Sequence, residues 1–265
     1  MSHSFLRGIA ALLAATAATA RAHDTWLQTA ATVVRPADVV HVDLALGNHG
    51  NDHRDFKFAG KLVSLDGGTV EVITPSGGRD DLVPEMIDLG STAKEGFWSA
   101  RFVAEAEWLH TVAHRLDRIR ETKRSVKSAK TFFVVAEKLD REPKATAEHA
   151  TPLGHDLELV AETHPVIGMG PGRPIAVRLF FKGRPLADER VSFIPRGVTL
   201  AEGFDPKFER RTDAEGRCRW EPTDGTYVLV VAHREEPAGK EATYETIKYS
   251  ATLVVNVPGR CPCCE

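Results

Sequence analysis

The chain has 265 residues, 42% of them apolar and 27% charged, with a formal net charge of −3. That is the composition of a globular protein that buries a core, and a net-acidic chain lacks the basic surface that nucleic-acid binding demands. Beyond residue 22 no apolar run approaches the roughly 20 residues needed to span a bilayer as a helix.

Residues 1–22 carry Arg7 in a short basic start, then an Ala-rich apolar run, then Ala20-Arg21-Ala22. This is the order of regions in a secretory signal peptide, and it predicts a soluble periplasmic protein. Cleavage after Ala22 removes two arginines and no acid, and it leaves His23-Asp24-Thr25-Trp26-Leu27 at the new N-terminus. A terminal histidine offers its α-amine and its ring Nδ1, a pair able to chelate one metal ion.

The patterns that follow are strand-like. Val39 to Leu46 alternates, with Val40, Val42, Leu44 and Leu46 on one face. Lys61 to Leu65 and Thr69 to Thr74 flank the turn signal Asp66-Gly67-Gly68 and predict a hairpin. Phe97 to Ala104 and Trp108 to Leu116 are further strands, Ile119 to Lys130 reads as a solvated basic loop, and Thr131 to Ala136 as a buried strand. The polar stretch from Asp140 to Pro152 is the predicted linker. Beyond it come strands at Leu157 to Thr163, Ile175 to Phe181, Arg190 to Pro195, Arg217 to Trp220, Thr226 to His233 and Ser250 to Val257. Their Gly/Pro/Asp punctuation implies antiparallel sandwiches. The expected fold is therefore all-β: a signal peptide over 1–22, an N-terminal β domain over 23–150, a C-terminal β-sandwich over 151–257 and a Cys-rich tail over 258–265.

Ten of the eleven histidines survive processing. The candidate metal ligands are His23, His49, His114 and His233. His49 sits in Gly47-Asn48-His49-Gly50-Asn51-Asp52-His53, where glycines let the backbone fold closely around imidazoles. His110 and His114 bracket Val112 on one strand face, an arrangement that also suits a hydrogen-bonded core histidine. His233 closes a strand and is placed to face the first domain. His41, His149, His155 and His164 read as surface or linker residues. Neutral imidazole suits Zn, Cu, Fe and Ni. Cys218 stands alone, and Cys261, Cys263 and Cys264 form a tail that either binds a soft metal or carries incidental thiols. No G-x-S-x-G elbow, P-loop or H-E-x-x-H motif is present, and no enzymatic activity is expected.

Gly183-Arg184-Pro185-Leu186 … Thr212-Asp213-Ala214-Glu215-Gly216 … Gly225-Thr226-Tyr227-Val228-Leu229 resembles the prealbumin-like or carboxypeptidase-regulatory sandwich. Across the whole processed chain, Ala22-His23-Asp24-Thr25-Trp26-Leu27, the strand leading to Gly47-Asn48-His49 and Val231-Ala232-His233 resemble a DUF-type periplasmic component associated with nickel and cobalt uptake. The chain departs from that pattern in its basic stretch Arg115 to Lys130 and in its Cys-rich tail. The resemblance implies a two-domain β protein that binds Ni(II) or Co(II) and presents it to a membrane transporter. The nitrogen-rich set suits Cu(II) as well, so a copper-binding protein or a copper oxidoreductase is an alternative. A metal-free cell-surface interaction module is another.

Overall fold

The computed structural model describes residues 22–49, 54, 58–60, 62, 64–92, 95–138 and 147–259. The predicted signal segment, the Gly50 to His53 loop, most of the linker and Cys261, Cys263 and Cys264 lie outside the described residues. The chain is all-β. Among the described residues its only helical turns are short 3-10 turns at Val83–Glu85 and Glu148–Ala150.

The N-terminal half contributes β1 (Ala22–Thr29), β2 (Val33–Val34), β3 (Asp38–His49), β4 (Phe58–Gly60), β5 (Gly68–Ile73), β6 (Arg79–Asp81), β7 (Ile87–Asp88), β8 (Trp98–Ala104), β9 (Trp108–Arg120) and β10 (Lys123–Val135). The C-terminal half contributes β11 (Leu157–Ala161), β12 (Ile175–Phe181), β13 (Arg184–Pro185), β14 (Arg190–Pro195), β15 (Glu209–Arg211), β16 (Arg217–Trp220), β17 (Thr226–Pro237) and β18 (Thr246–Val257). β1, β3, β8 and β7 form one sheet, with β4 on β3. A large sheet runs β15-β14-β17-β18-β10-β9-β5-β6, with β2 on β10, and a small one runs β11-β12-β13, with β16 on β12.

The large sheet is the middle layer. On one face Val112, Leu116, Ala129 and Phe133 meet Leu27, Val40, Val42 and Leu44 of the first sheet. On the other, Val126, Phe132, Val134, Leu253 and Val255 meet Leu157, Leu159, Val177 and Leu179 of the small sheet. β10 and β18 run parallel, with Lys123 opposite Thr246 and Lys130 opposite Leu253. Strands buried on both faces lose alternation and become continuous apolar runs, as Phe132 to Val135 and Leu253 to Val255 do. The 150/151 boundary separates the halves in sequence, yet the β10–β18 ladder hydrogen-bonds them into one sheet. β1 serves both cores, with Leu27 on one and Trp26 on the other.

Three local expectations are corrected. The hairpin strand expected over Lys61 to Leu65 is not seen at the described residues there: Leu62, Ser64 and Leu65 are irregular. The Leu62 and Ser64 carbonyls serve side chains instead, with Trp98 Nε1 donating to Leu62 O at 2.9 Å and Arg118 Nη2 donating to Ser64 O at 2.9 Å. Ile119 to Lys130 is not a loop. It holds the end of β9, a tight turn at Glu121 (φ 55) and most of β10. Two of its charges have partners outside the segment, Arg124 forking onto Asp117 at 2.8 and 2.6 Å and Lys130 paired with Glu158. β17 does not end at His233 but continues to Pro237, because Glu235 and Glu236 are held by Lys248 and Lys182.

The turn Asp213 to Gly216 shows why glycine is required at its end. Gly216 has φ +78, and a Cβ there would lie 2.6 Å from Leu179 O. Asp213 Oδ1 accepts the Glu215 and Arg217 amides at 3.0 and 2.7 Å.

The buried Lys130–Glu158 pair fastens the small sheet to the middle one. Glu158 Oε1 also accepts the Leu153 amide at 2.6 Å, and Oε2 accepts those of Gly154 and His155 at 2.9 and 3.0 Å. Removing one member of a buried pair strands the other's charge, at a cost of about 3–5 kcal/mol. Glu158→Ala is expected to lower unfolding stability by about that amount in urea titrations, and a midpoint unchanged from the parent would contradict this role.

Candidate functional site

β1 is an edge strand of the first sheet laid across β10 and β18. Ala22 pairs with His49, His23 with Asn48 and Asp24 with Gly47. His23 is exposed, whereas Asp24, Thr25, Trp26 and Leu27 are almost fully buried. Thr252 Oγ1 donates to Thr25 O at 2.8 Å and anchors the strand over β18.

Asp24 is a carboxylate with essentially no exposure, so it requires charged or hydrogen-bonding partners. Ladder register places one row of the middle sheet beneath it: Lys127 is opposite Ser250, and Ser250 is opposite His233. His233 Nε2–H donates to Asp24 Oδ2 at 2.8 Å. In the neutral ring this contact selects the Nε2–H tautomer, in which Nδ1 carries the lone pair. Burial pushes the Lys127 ammonium below its ordinary pKa, against the opposing pull of Asp24.

Of the four predicted ligands, three come to one end of the molecule. His23 precedes Asp24, His233 contacts Asp24, and His49 is the register partner of Ala22, beside His23. The His49 side chain lies outside the described residues. His114 is elsewhere: it and His233 lie on strands separated by β10 and β18, three strand spacings or about 14 Å. Among the described residues no three His, Cys, Asp or Glu side chains converge as a metal set.

His114 behaves as a core residue. It is 2% exposed, its Nδ1–H donates to Thr69 O at 2.7 Å, and its Nε2 is buried with no hydrogen-bond partner. Burial pushes its pKa down to about 4. His110 stacks on Phe133 at 4.7 Å and donates from Nδ1 to Trp108 O at 3.1 Å. His155 and His164 are half-buried, and burial draws both down to about 4. His164 Nδ1 accepts the Ile167 amide at 2.9 Å. Burial pushes the Cys218 thiol up to about 12, which makes it a poor nucleophile,.

The residues that sequence patterns do not single out are Asp24 and Lys127. Asp24 stands in view beside His23, and the only local hint of its burial is the apolar Trp26 two positions on. Lys127 hides inside the basic stretch.

This geometry defines an all-β sandwich protein with a histidine–carboxylate pair at the start of its first strand. The chain belongs to the family described as a domain of unknown function, DUF4198, whose model matches residues 20–235. No curated protein matches it. Among solved structures it is similar to a DUF4785 family protein from Legionella pneumophila, with a TM-score of 0.30, 8% identity, 78% of this chain covered and 50% of that one. It is also similar to the D0-D1 domain of intimin (TM-score 0.22, 12% identity, 88% and 98% covered) and to Escherichia coli alpha-2-macroglobulin (0.27, 12%, 90% and 20%). The chain spans half the length of the Legionella protein.

The His114 environment has a pH consequence. Its folded pKa of about 4 lies below the unfolded value of about 6.5, so between these values the unfolded chain binds a proton that the native chain refuses. The stabilisation is full above pH 6.5 and is lost as pH falls towards 4, up to about 3 kcal/mol; His155 and His164 act in the same window. Denaturant midpoints are expected to fall across pH 6.5 to 4, and His114→Leu to flatten that slope. An unaltered slope in the variant would contradict the assignment.

Proposed function

We propose that this is an exported, non-enzymatic metal-binding protein that takes Ni(II) or Co(II) in the periplasm and presents it to a membrane uptake system. The observation that carries the reading is the 2.8 Å contact between His233 Nε2 and the buried carboxylate of Asp24, one residue from His23. Metal-bound histidines characteristically donate their second ring N–H to a carboxylate, which fixes the ring and raises its basicity. Asp24 is in that role here, leaving His233 Nδ1 for an ion. The predicted cleavage after Ala22 adds the α-amine and ring of His23, and the ladder adds His49 at the neighbouring position.

The cargo ion is bound by nitrogen donors that must be deprotonated. The terminal amine has an ordinary pKa of about 7.7–8.0, so loading releases protons and weakens as pH falls. A nitrogen-rich set of this kind also accepts Cu(II). Oxygen consumption with copper and reductant would turn the reading towards an oxidoreductase.

The test compares Ni(II) affinity of the exported chain with that of a form carrying one extra alanine before His23. The extension is expected to weaken binding by at least tenfold. Asp24→Asn is expected to weaken it by about 10–100-fold through the misoriented ring, and His233→Ala at least as much. Unchanged affinity in the extended form would remove the chelate from consideration.

A further inference from the structure

The basic stretch Arg115 to Lys130, which the metal reading leaves without a role, forms two paired strands, and strand alternation sorts its side chains. Lys123, Ser125 and Lys127 share one face of β10. Arg120 is the register partner of Lys123, Lys248 of Ser125, and Ser250 of Lys127. Six residues of three adjacent strands are thus gathered on one face at one end of the middle sheet. They line an open pocket of about 230 Å³ together with His23, Asp24, Glu121 and Tyr249.

Its charge is one-sided. Arg120, Lys123, Lys127 and Lys248 face two carboxylates, Asp24 and Glu121. Asp24 is already engaged by His233, and Lys248 stands 3.6 Å from Glu235, which lies outside the pocket. Lys127 is half-buried, and no hydrogen bond or ion pair to it occurs among the described residues. Asp24, shared with His233, is the one carboxylate that draws on Lys127, and an excess of cations around a partly shielded pocket favours an anion brought from solution.

We propose that this pocket is a binding site for a small multivalent oxyanion, a di- or tricarboxylate or a phosphate, seated on Lys127 and held by Lys123, Lys248, Arg120 and the hydroxyls of Ser125 and Ser250. The volume matches a small ligand: at about 30 Å³ per water it holds roughly eight water-sized groups, the size of a small acid. The serines supply donors that complete the shell of an oxyanion. Lysine ammoniums act as point charges without the planar fork of arginine, so charge and size select the ligand more than shape does. The pocket abuts the proposed metal ligands through His23 and Asp24, yet anion binding needs neither the terminal amine nor His49.

Isothermal titration of the exported chain, stripped of metal on a chelating resin, with citrate and separately with inorganic phosphate provides the test. At least one anion is expected to bind and to weaken as ionic strength rises, and the arm that responds identifies the source. Lys127→Met, which replaces a half-buried cation by an apolar side chain of similar length, is expected to fold and to bind at least tenfold more weakly. The surface double variant Lys123→Gln with Lys248→Gln is expected to lose severalfold. Failure of both anions to bind at millimolar concentration overturns the proposal. Binding that is indifferent to Lys127→Met and to the double variant overturns it equally. A parallel Ni(II) titration of Lys123→Gln/Lys248→Gln keeps the two proposals distinguishable: retained nickel binding with lost citrate or phosphate binding supports the anion site by itself.

Discussion

The parallel ladder between β10 and β18 is the constraint on which the remaining architecture rests. These two strands are far apart in the sequence and belong to different halves of the chain, yet they lie side by side at the centre of the largest sheet. Each is covered on both faces, by the first sheet on one side and the small sheet on the other. A parallel pair buried on both sides needs apolar residues in succession, and Phe132-Phe133-Val134-Val135 and Leu253-Val254-Val255 meet that need. With this pair in place, β9 and β17 add by antiparallel pairing, and both outer sheets find their apolar partners.

The site follows from the same placement. β1 crosses the ladder at the level of Lys127 and Ser250, where the apolar run of β10 gives way to polar residues. A carboxylate there is shielded from water and has to be satisfied by protein groups, which His233 provides from the neighbouring strand. The two chemistries considered for this end of the molecule, imidazole–carboxylate and clustered cations, are therefore consequences of one change in side-chain character along β10. Their adjacency also fits a cation and an anion that offset each other's charge.

Period-2 patterning and turn punctuation are local properties, and where they decide the outcome the residue pattern is enough. Ile175 to Phe181, Arg190 to Pro195 and Arg217 to Trp220 match the observed strands end to end. Lys123 to Lys130 misleads because charge in a short window implies solvent. Here the neutralising partner of Lys130 is Glu158, contributed by a strand of the other half. The end of β17 is obscured in the same way: Arg234-Glu235-Glu236 has the composition of a turn, and only Lys248 and Lys182 explain its extended pairing. His114 shows the opposite case. Its place on an apolar strand face with Val112 already suits a hydrogen-bonded core residue, and Thr69 supplies the partner.

The sequence by itself determined the β class, most of the strands, the turn at Gly216 and the presence of a histidine where export processing is expected to expose one. Each of these depends on interactions within about ten residues of chain or on the chemistry of one residue. Only the tertiary structure decided that the two halves share a sheet, that Asp24 is buried against His233, that His114 stands three strands away, and that four cations from β9, β10 and β18 line one pocket. Those outcomes require residues separated by a hundred positions or more to be brought into register, and register between distant strands is set by which faces are buried together, a property of the folded sheets and of no single segment.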